Sequence, residues 1–395
     1  MGAPAPEYID NPGPWLLLTL ALIGVFAFLQ VYSVQSILPQ LQRDLNATVI
    51  QVGTAVGATV LAVAIASPFM GMLSDAVGRK ALVVASVFAL AVPTALMLTV
   101  ETVRGLTILR FLQGVAVPGV TVVTIAYIGE EFRAGAMARV VAMYVTGSVL
   151  GGFLGRFLLG HLTEFMPWRA SFGVLAALNF AGALLVWRVL PASRRFVANP
   201  RFSSSFRILG QLLRNANVLV PSALGFCLLF MQVGLFTYVN FHLADGPFHF
   251  SPAQLANVFT VYLLGVVTTP LTGRMVTGWG ARLTAMCAVA FAALGVLLTL
   301  APLAWGIVLG LAVASTGVFI TQSCAISFIA DRVKIARSLA SGLYYTAYYT
   351  GGFMGAWACG VAYAHGGWRA TVLCLLAVLA LGWCIAWRFL PRRNA

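Results

Sequence analysis

Runs of about twenty apolar residues recur along this chain, separated by short polar joints. A helix needs roughly 20 such residues to cross the hydrocarbon of a bilayer. Only helices and closed barrels satisfy their backbone groups there. The runs fall at 14–39, 49–70, 81–100, 105–128, 138–161, 169–190, 217–241, 252–274, 281–301, 303–328, 337–362 and 369–389. They predict an all-α membrane protein of twelve transmembrane helices. The tight breaks at Val100–Gly105 and Pro302 force neighbouring helices antiparallel. A chain 61% hydrophobic and 9% charged has too much apolar surface for a soluble domain.

The net charge of +14 would suggest a nucleic-acid partner in a soluble protein. Here the distribution assigns it to the membrane instead. With both termini cytoplasmic, the inner segments and inner span ends hold 18 of the 24 basic residues. The outer segments and outer span ends hold Arg43, Arg104, Arg169 and Arg369, and Arg110 and Arg156 lie further inside spans. That bias is the positive-inside pattern. It divides the chain into a cytoplasmic tail at 1–13, a six-helix half at 14–190, a linker at 191–216, a second half at 217–390 and a tail at 391–395. The linker carries Ser203, Ser204 and Ser205, then Phe206, Leu209, Leu212 and Leu213 at helical spacing, suited either to the inner membrane surface or to a plain disordered linker. Met1 to Gly13 lacks the basic region of a signal peptide, so the first span is expected to be retained. All six cysteines sit in apolar runs without metal-site spacing, so neither cofactor nor disulfide framework is expected.

The halves read as copies. Gly151-Gly152-Phe153-Leu154-Gly155 recurs as Gly351-Gly352-Phe353-Met354-Gly355, Gly160 as Gly360, and Trp168-Arg169-Ala170 as Trp368-Arg369-Ala370. The offset is 200 each time. Such parallel repeats predict pseudo-symmetric six-helix halves with a substrate site near the midplane between them.

Between the second and third runs lies Gly71-Met72-Leu73-Ser74-Asp75-Ala76-Val77-Gly78-Arg79-Lys80. Its glycines permit a tight turn, and Asp75 precedes the basic pair by one helical turn. The stretch resembles the signature loop of the major facilitator superfamily, G-x-L-x-D-x-x-G-R-K, at every fixed position. The resemblance implies the major facilitator fold and a cytoplasmic latch between two halves, built from Gly71, Asp75, Gly78, Arg79 and Lys80. A worn copy follows in the second half, where Gly273 and Gly280 match and Thr277 replaces Asp75. Glu130-Glu131 closes the fourth span; the resemblance implies that a charge there, Glu130 in this chain, pairs with the loop, and a solvated helix end is the alternative.

Arg110 opens Arg110-Phe111-Leu112-Gln113-Gly114 inside the fourth span, similar to the family motif R-x-x-Q-G. An ionised side chain in hydrocarbon costs about 2.5–3.5 kcal/mol on insertion scales. Arg110 and Gln113 are therefore substrate candidates, with snorkelling to the outer surface as the alternative for Arg110. Gly147, Gly151 and Gly155 form one face of the fifth span and allow close helix approach. The run resembles the antiporter motif G-x-x-x-G-P-x-x-G-G, with Gly152 in place of proline and Arg156 in place of the last glycine. Arg156 is the sharpest substrate candidate, and capping a helix end or reaching outer water is its alternative.

None of the ten acids falls mid-span. Exporters of cationic drugs commonly carry a buried carboxylate, so a neutral or anionic substrate suits this chain better. Proton coupling is implied by the family alone. Gln30, Tyr32 and Gln35 in the first span, Gln232, Tyr238 and Asn240 in the seventh, and Tyr344, Tyr345, Tyr348 and Tyr349 in the eleventh are further cavity candidates. Of these, Gln30, Gln35, Asn240 and Tyr345 join the expected site; an interfacial aromatic belt is the alternative for the tyrosines. Tyr238-Val239-Asn240-Phe241-His242-Leu243 and Tyr32-Ser33-Val34-Gln35 resemble a branch of bacterial efflux permeases. The expectation is a monomeric inner-membrane exporter of a small organic molecule, antiporting protons if the family pattern holds. An uptake permease for a small anionic metabolite is the alternative. No paired acids, nucleophile–base pair or ATP loop points to an enzyme.

Overall fold

The computed structural model describes residues 8–194, 210–333 and 337–391. Their α-helices are α1 Pro14–Leu29, α2 Leu38–Asp44, α3 Val49–Val77, α4 Arg79–Leu96, α5 Val103–Glu131, α6 Ala134–Leu162, α7 Trp168–Val189, α8 Ala216–Ala244, α9 Pro252–Val258, α10 Leu264–Trp279, α11 Ala281–Leu298, α12 Ala304–Arg332 and α13 Arg337–Phe389. Ten described segments are long and apolar enough to span a membrane, and α1 with the bent segment after it makes eleven. At 53 residues, α13 is too long for one crossing. It breaks at Gly366–Gly367, where Gly367 takes φ 61°, a conformation cheap only for glycine. The described residues thus hold twelve spans.

Two spans are not the straight helices the apolar runs predict. The first leaves helix after Leu29, makes a 3-10 turn over Ser33–Ile37 and resumes as α2 at a 45° bend. Pro39 lacks an N–H to continue the ladder. The Ser33 and Ser36 hydroxyls donate instead to the carbonyls of Gln30 and Ser33 at 3.2 and 3.4 Å. The eighth span is interrupted in the same way by a 3-10 turn over Phe259–Leu263.

The signature stretch also departs from expectation. It is not a loop: residues 71–77 continue α3, and the chain turns on Gly78 alone, at φ 97°. Gly280, at φ 82°, makes the matching one-residue joint between α10 and α11.

The glycine faces explain how each half is built. A Cβ at Gly147, Gly151 or Gly155 would collide with the carbonyls of Ala21, Val25 and Leu29 on α1. A Cβ at Gly351 or Gly355 would collide with the carbonyls of Phe226 and Phe230 on α8. The fifth and eleventh spans thus lie backbone-to-backbone on the first and seventh, in one shared register.

The halves touch at one end. Gly160 packs on Pro252 and Ala256, Gly360 approaches Ile50, and Gly53 and Gly57 meet Tyr238, Ala356 and Phe353. The Ser251 hydroxyl donates to Glu164 at 2.7 Å across the same seam. At the end carrying Gly78, a Cβ on Gly71, Gly129, Gly135, Gly273 or Gly342 would meet no atom of the opposite half among the described residues. The bundle is closed at one end and splayed at the other.

The described part of the N-terminal tail is docked. Ile9 N–H donates to the Glu131 carbonyl at 2.8 Å, and Asp10 pairs with Arg133 at 3.1 Å. The start of the linker is anchored too: Arg194 N–H donates to Glu131 Oε1 at 2.8 Å and Tyr127 donates to the Pro191 carbonyl at 3.2 Å. Leu212 is buried and Leu213 exposed. The serine run, Phe206 and Leu209 lie outside the described residues, as do residues 1–7 and 392–395.

Candidate functional site

The two intramembrane arginines are both buried, Arg110 at 0% and Arg156 at 1% exposure, so neither snorkels to a surface. Their environments differ. Breaking the first span leaves the carbonyls at the end of α1 without partners one turn on. Arg110, on α5, supplies them: Nη1 donates to the Gln30 carbonyl and Nη2 to that of Val31. Nη1 also donates to Gln113 Oε1 at 2.8 Å, and Gln113 Nε2 donates to Thr94 on α4 at 2.7 Å. The negative end of the α1 dipole faces this cation. Arg110 and Gln113, expected to handle substrate, brace the break in the first span.

Arg156 lies on α6 between the two broken spans. Its Nε donates to Gln35 Oε1 at 2.8 Å, and one Nη donates to its own-helix carbonyl at Gly152. Gln35 Nε2 continues to Thr237 Oγ1, in the other half, at 3.1 Å. Three rings stand over the guanidinium carbon: Tyr32 at 4.7 Å, Phe259 at 4.7 Å and Tyr262 at 4.6 Å. Tyr32 belongs to the first half and the other two to the second. Such faces stabilise a cation by about 2 kcal/mol or more when desolvated. Among the described residues no carboxylate pairs with Arg156 or Arg110.

Of the other expected site residues, Gln30 stays with the Arg110 brace; its Nε2 reaches the Leu175 carbonyl at 3.5 Å and its Oε1 is unpartnered. Asn240 is buried and bonds only its own helix, to the Phe236 carbonyl, with Oδ1 unpartnered. Tyr345 is half-buried and stacks on Tyr349 at 6.2 Å. Tyr344, Tyr348 and Tyr349 are buried, which removes them from an interfacial belt. Tyr238 donates to the Ala356 carbonyl beside Gly53, within the closed seam. Thr237, Phe259 and Tyr262 were not foreseen. The spacing of Phe259 and Tyr262 by three is a helical-face signal, but nothing local links it to Arg156, more than a hundred residues earlier.

At the splayed end, Arg79 is clamped. Nη1 contacts Asp75 Oδ1 at 2.6 Å, and Nη2 contacts Glu130 Oε1 at 2.6 Å, with Nε 3.1 Å from Glu130 Oε2. Ser74 also accepts from Nη1. All these groups belong to one half. The backbone N–H of Lys80 reaches the Ser193 hydroxyl at 3.4 Å. In the second half the Thr277 hydroxyl bonds only carbonyls of its own helix, at 3.0 Å.

Twelve spans in two repeated halves, meeting around a buried central group and parted at one end, define a membrane carrier. The chain belongs to the Major Facilitator Superfamily, whose family model matches residues 20–246 and 241–395. It is 31% identical over 381 residues to the inner membrane transport protein YnfM of Escherichia coli, covering 95% of this chain and 91% of that one. It is 25% identical over 266 residues to the multidrug transporter MdfA of Yersinia pestis, covering 66% and 62% of the two chains. Its fold matches a crystal structure of a D-xylose–proton symporter with a TM-score of 0.76 at 16% identity, over 96% of this chain and 98% of that one. The protein is a multi-pass membrane transporter and not an enzyme.

Proposed function

We propose that this carrier exports a small organic molecule, neutral or anionic, across a bacterial inner membrane, with both termini in the cytoplasm. The observation that carries the reading is the setting of Arg156, held by Gln35 from its own half and by Phe259 and Tyr262 from the other. Opening the closed end breaks those contacts between halves, so a ligand at Arg156 has different partners in the two states. That difference is what lets a ligand bias the rocking. The basic residues clustered near Gly78 support a cytoplasmic location for the splayed end. The likeness to a multidrug transporter and the α6 glycine face support export. The signature clamp of Asp75, Arg79 and Glu130, with Gly71, Gly78 and Lys80, would set the balance between states.

Protons are the coupling partner implied by the family. All described acids sit at helix ends or in joints, so coupling needs its own test. Substrate flux in proteoliposomes should rise with an imposed pH gradient; equal rates with and without one remove the antiport assignment. Direction is tested in inverted membrane vesicles, where an exported compound accumulates inside. Accumulation in right-side-out vesicles instead selects uptake of a small anionic metabolite, a reading that the unpaired charge of Arg156 favours.

A further inference from the structure

We infer that the Arg156 site takes an organic monoanion with a planar apolar body, an aromatic carboxylate being its simplest form; this deepens the carrier reading and rests on it. The guanidinium supplies the first half of the argument. Among the described residues Nε is bound to Gln35 and one Nη to the Gly152 carbonyl, and Arg156 Nη2 has no hydrogen-bond partner. A donor of a buried cation is therefore open to a ligand. The positive charge there is larger than one side chain implies. Arg110 bonds Gln30 and Val31, while Arg156 bonds Gln35 and lies 4.7 Å from the Tyr32 ring, so both cations sit against the same broken stretch of the first span. Arg110 has both Nη atoms on backbone carbonyls that belong to the break, and its unpartnered donor is the buried Nε. With no carboxylate paired to either, a cationic ligand meets repulsion, and an anion supplies the charge that the protein lacks.

The charge then selects the anion. Nη2 offers two N–H donors to a carboxylate or a phosphate alike, but a singly charged group is matched by Arg156 alone, whereas a dianion leaves a net buried charge unless further donors reach it. The surroundings select the body. Tyr32, Phe259 and Tyr262 ring the guanidinium. On the eleventh span Tyr348 and Tyr349 pack edge to face at 5.4 Å, and both are buried. A flat apolar ligand anchored at Nη2 has ring faces to lie against on the side of both halves.

The test compares benzoate, benzamide and benzamidine, which share a shape and differ in charge, by thermal unfolding of the purified full chain. Benzoate should stabilise the wild type with at least tenfold higher apparent affinity than benzamide, and benzamidine should have the least effect. Arg156→Gln, read against its own ligand-free melting point, should lose the preference, while Arg156→Lys should keep part of it. Equal effects of benzoate and benzamide, no effect of benzoate, or a benzoate preference that survives Arg156→Gln each overturn the inference. A failure of the carrier reading shows elsewhere. Spin labels at Leu73 and Trp279, exposed at the splayed ends of the two halves, would keep a single fixed separation under every condition.

Discussion

The two halves share a scaffold and differ in where they carry charge. Gly151 and Gly155 meet Val25 and Leu29, and two hundred residues on Gly351 and Gly355 meet Phe226 and Phe230 in the same way. Gly160 and Gly360 each pack near the start of a span from the opposite half. At position 156 the first half has an arginine caged by aromatic rings; at 356 the second has an alanine whose carbonyl accepts from Tyr238. Asp75 binds Arg79, whereas Thr277 bonds its own helix. The repeated glycines serve assembly, which both halves need. The charges are carried by one half alone at these matched positions.

This division predicts its largest effect at Arg156. Truncating one partner of a buried hydrogen-bonded charge typically costs about 2–5 kcal/mol of binding. Arg156→Ala should therefore cut transport at least thirtyfold, with wild-type yield and a lowered melting point from the lost ring and Gln35 contacts. Ala356→Gly, at the matching position, should keep most of the transport and lose about 1 kcal/mol of stability. Parallel losses of transport from both substitutions would break the contrast.

The glycine seams should give the next largest effect, and a symmetric one. Gly151→Leu and Gly351→Leu both drive a side chain into a carbonyl, at about 1–3 kcal/mol or more for overpacking. Both should lower the melting temperature of the purified protein by similar amounts. A tolerated leucine in one half alone would mean that the shared register is not a shared requirement.

The repeat, the glycine faces and the turning glycines are legible in the sequence because each is local: a fixed offset, a four-residue spacing, a residue that tolerates positive φ. Twelve spans follow from the apolar runs for the same reason. The break at 30–37 is hidden because Ser33, Gln35 and Ser36 barely dent the average hydropathy of an otherwise apolar run. What makes them a break is Pro39 together with Arg110 and Arg156, which reach them from other spans. The cage of Arg156 is hidden for a stronger reason. Phe259 and Tyr262 come from the opposite half, and the pairing exists only once the halves have docked. Arg110 and Arg156 look alike in sequence, both cations in apolar runs. What separates them is the partners: Arg110 takes the carbonyls of Gln30 and Val31 at the broken helix end, and Arg156 takes Gln35 and rings from both halves.

The smallest effect expected is at the splayed end, where it still discriminates between the halves. The Arg79 side chain is 10% exposed and that of Glu130 is 32% exposed, so their pair is only partly screened. Replacing Glu130 by Gln leaves a largely buried guanidinium with Asp75 as its remaining carboxylate among the described pairs. A loss of about 1–2 kcal/mol fits between an exposed pair and a buried one. If the clamp is linked to the rocking equilibrium, that is a five- to thirtyfold change in the ratio of the two states, since about 1.4 kcal/mol is tenfold. The Leu73–Trp279 label distances should record it as a redistribution between two separations. Thr277→Ala removes a hydroxyl that bonds only its own helix and should move the populations by less than twofold, within the usual ±0.5 kcal/mol of surface substitutions. If Thr277→Ala shifts the distances as far as Glu130→Gln does, the switch is shared by both halves.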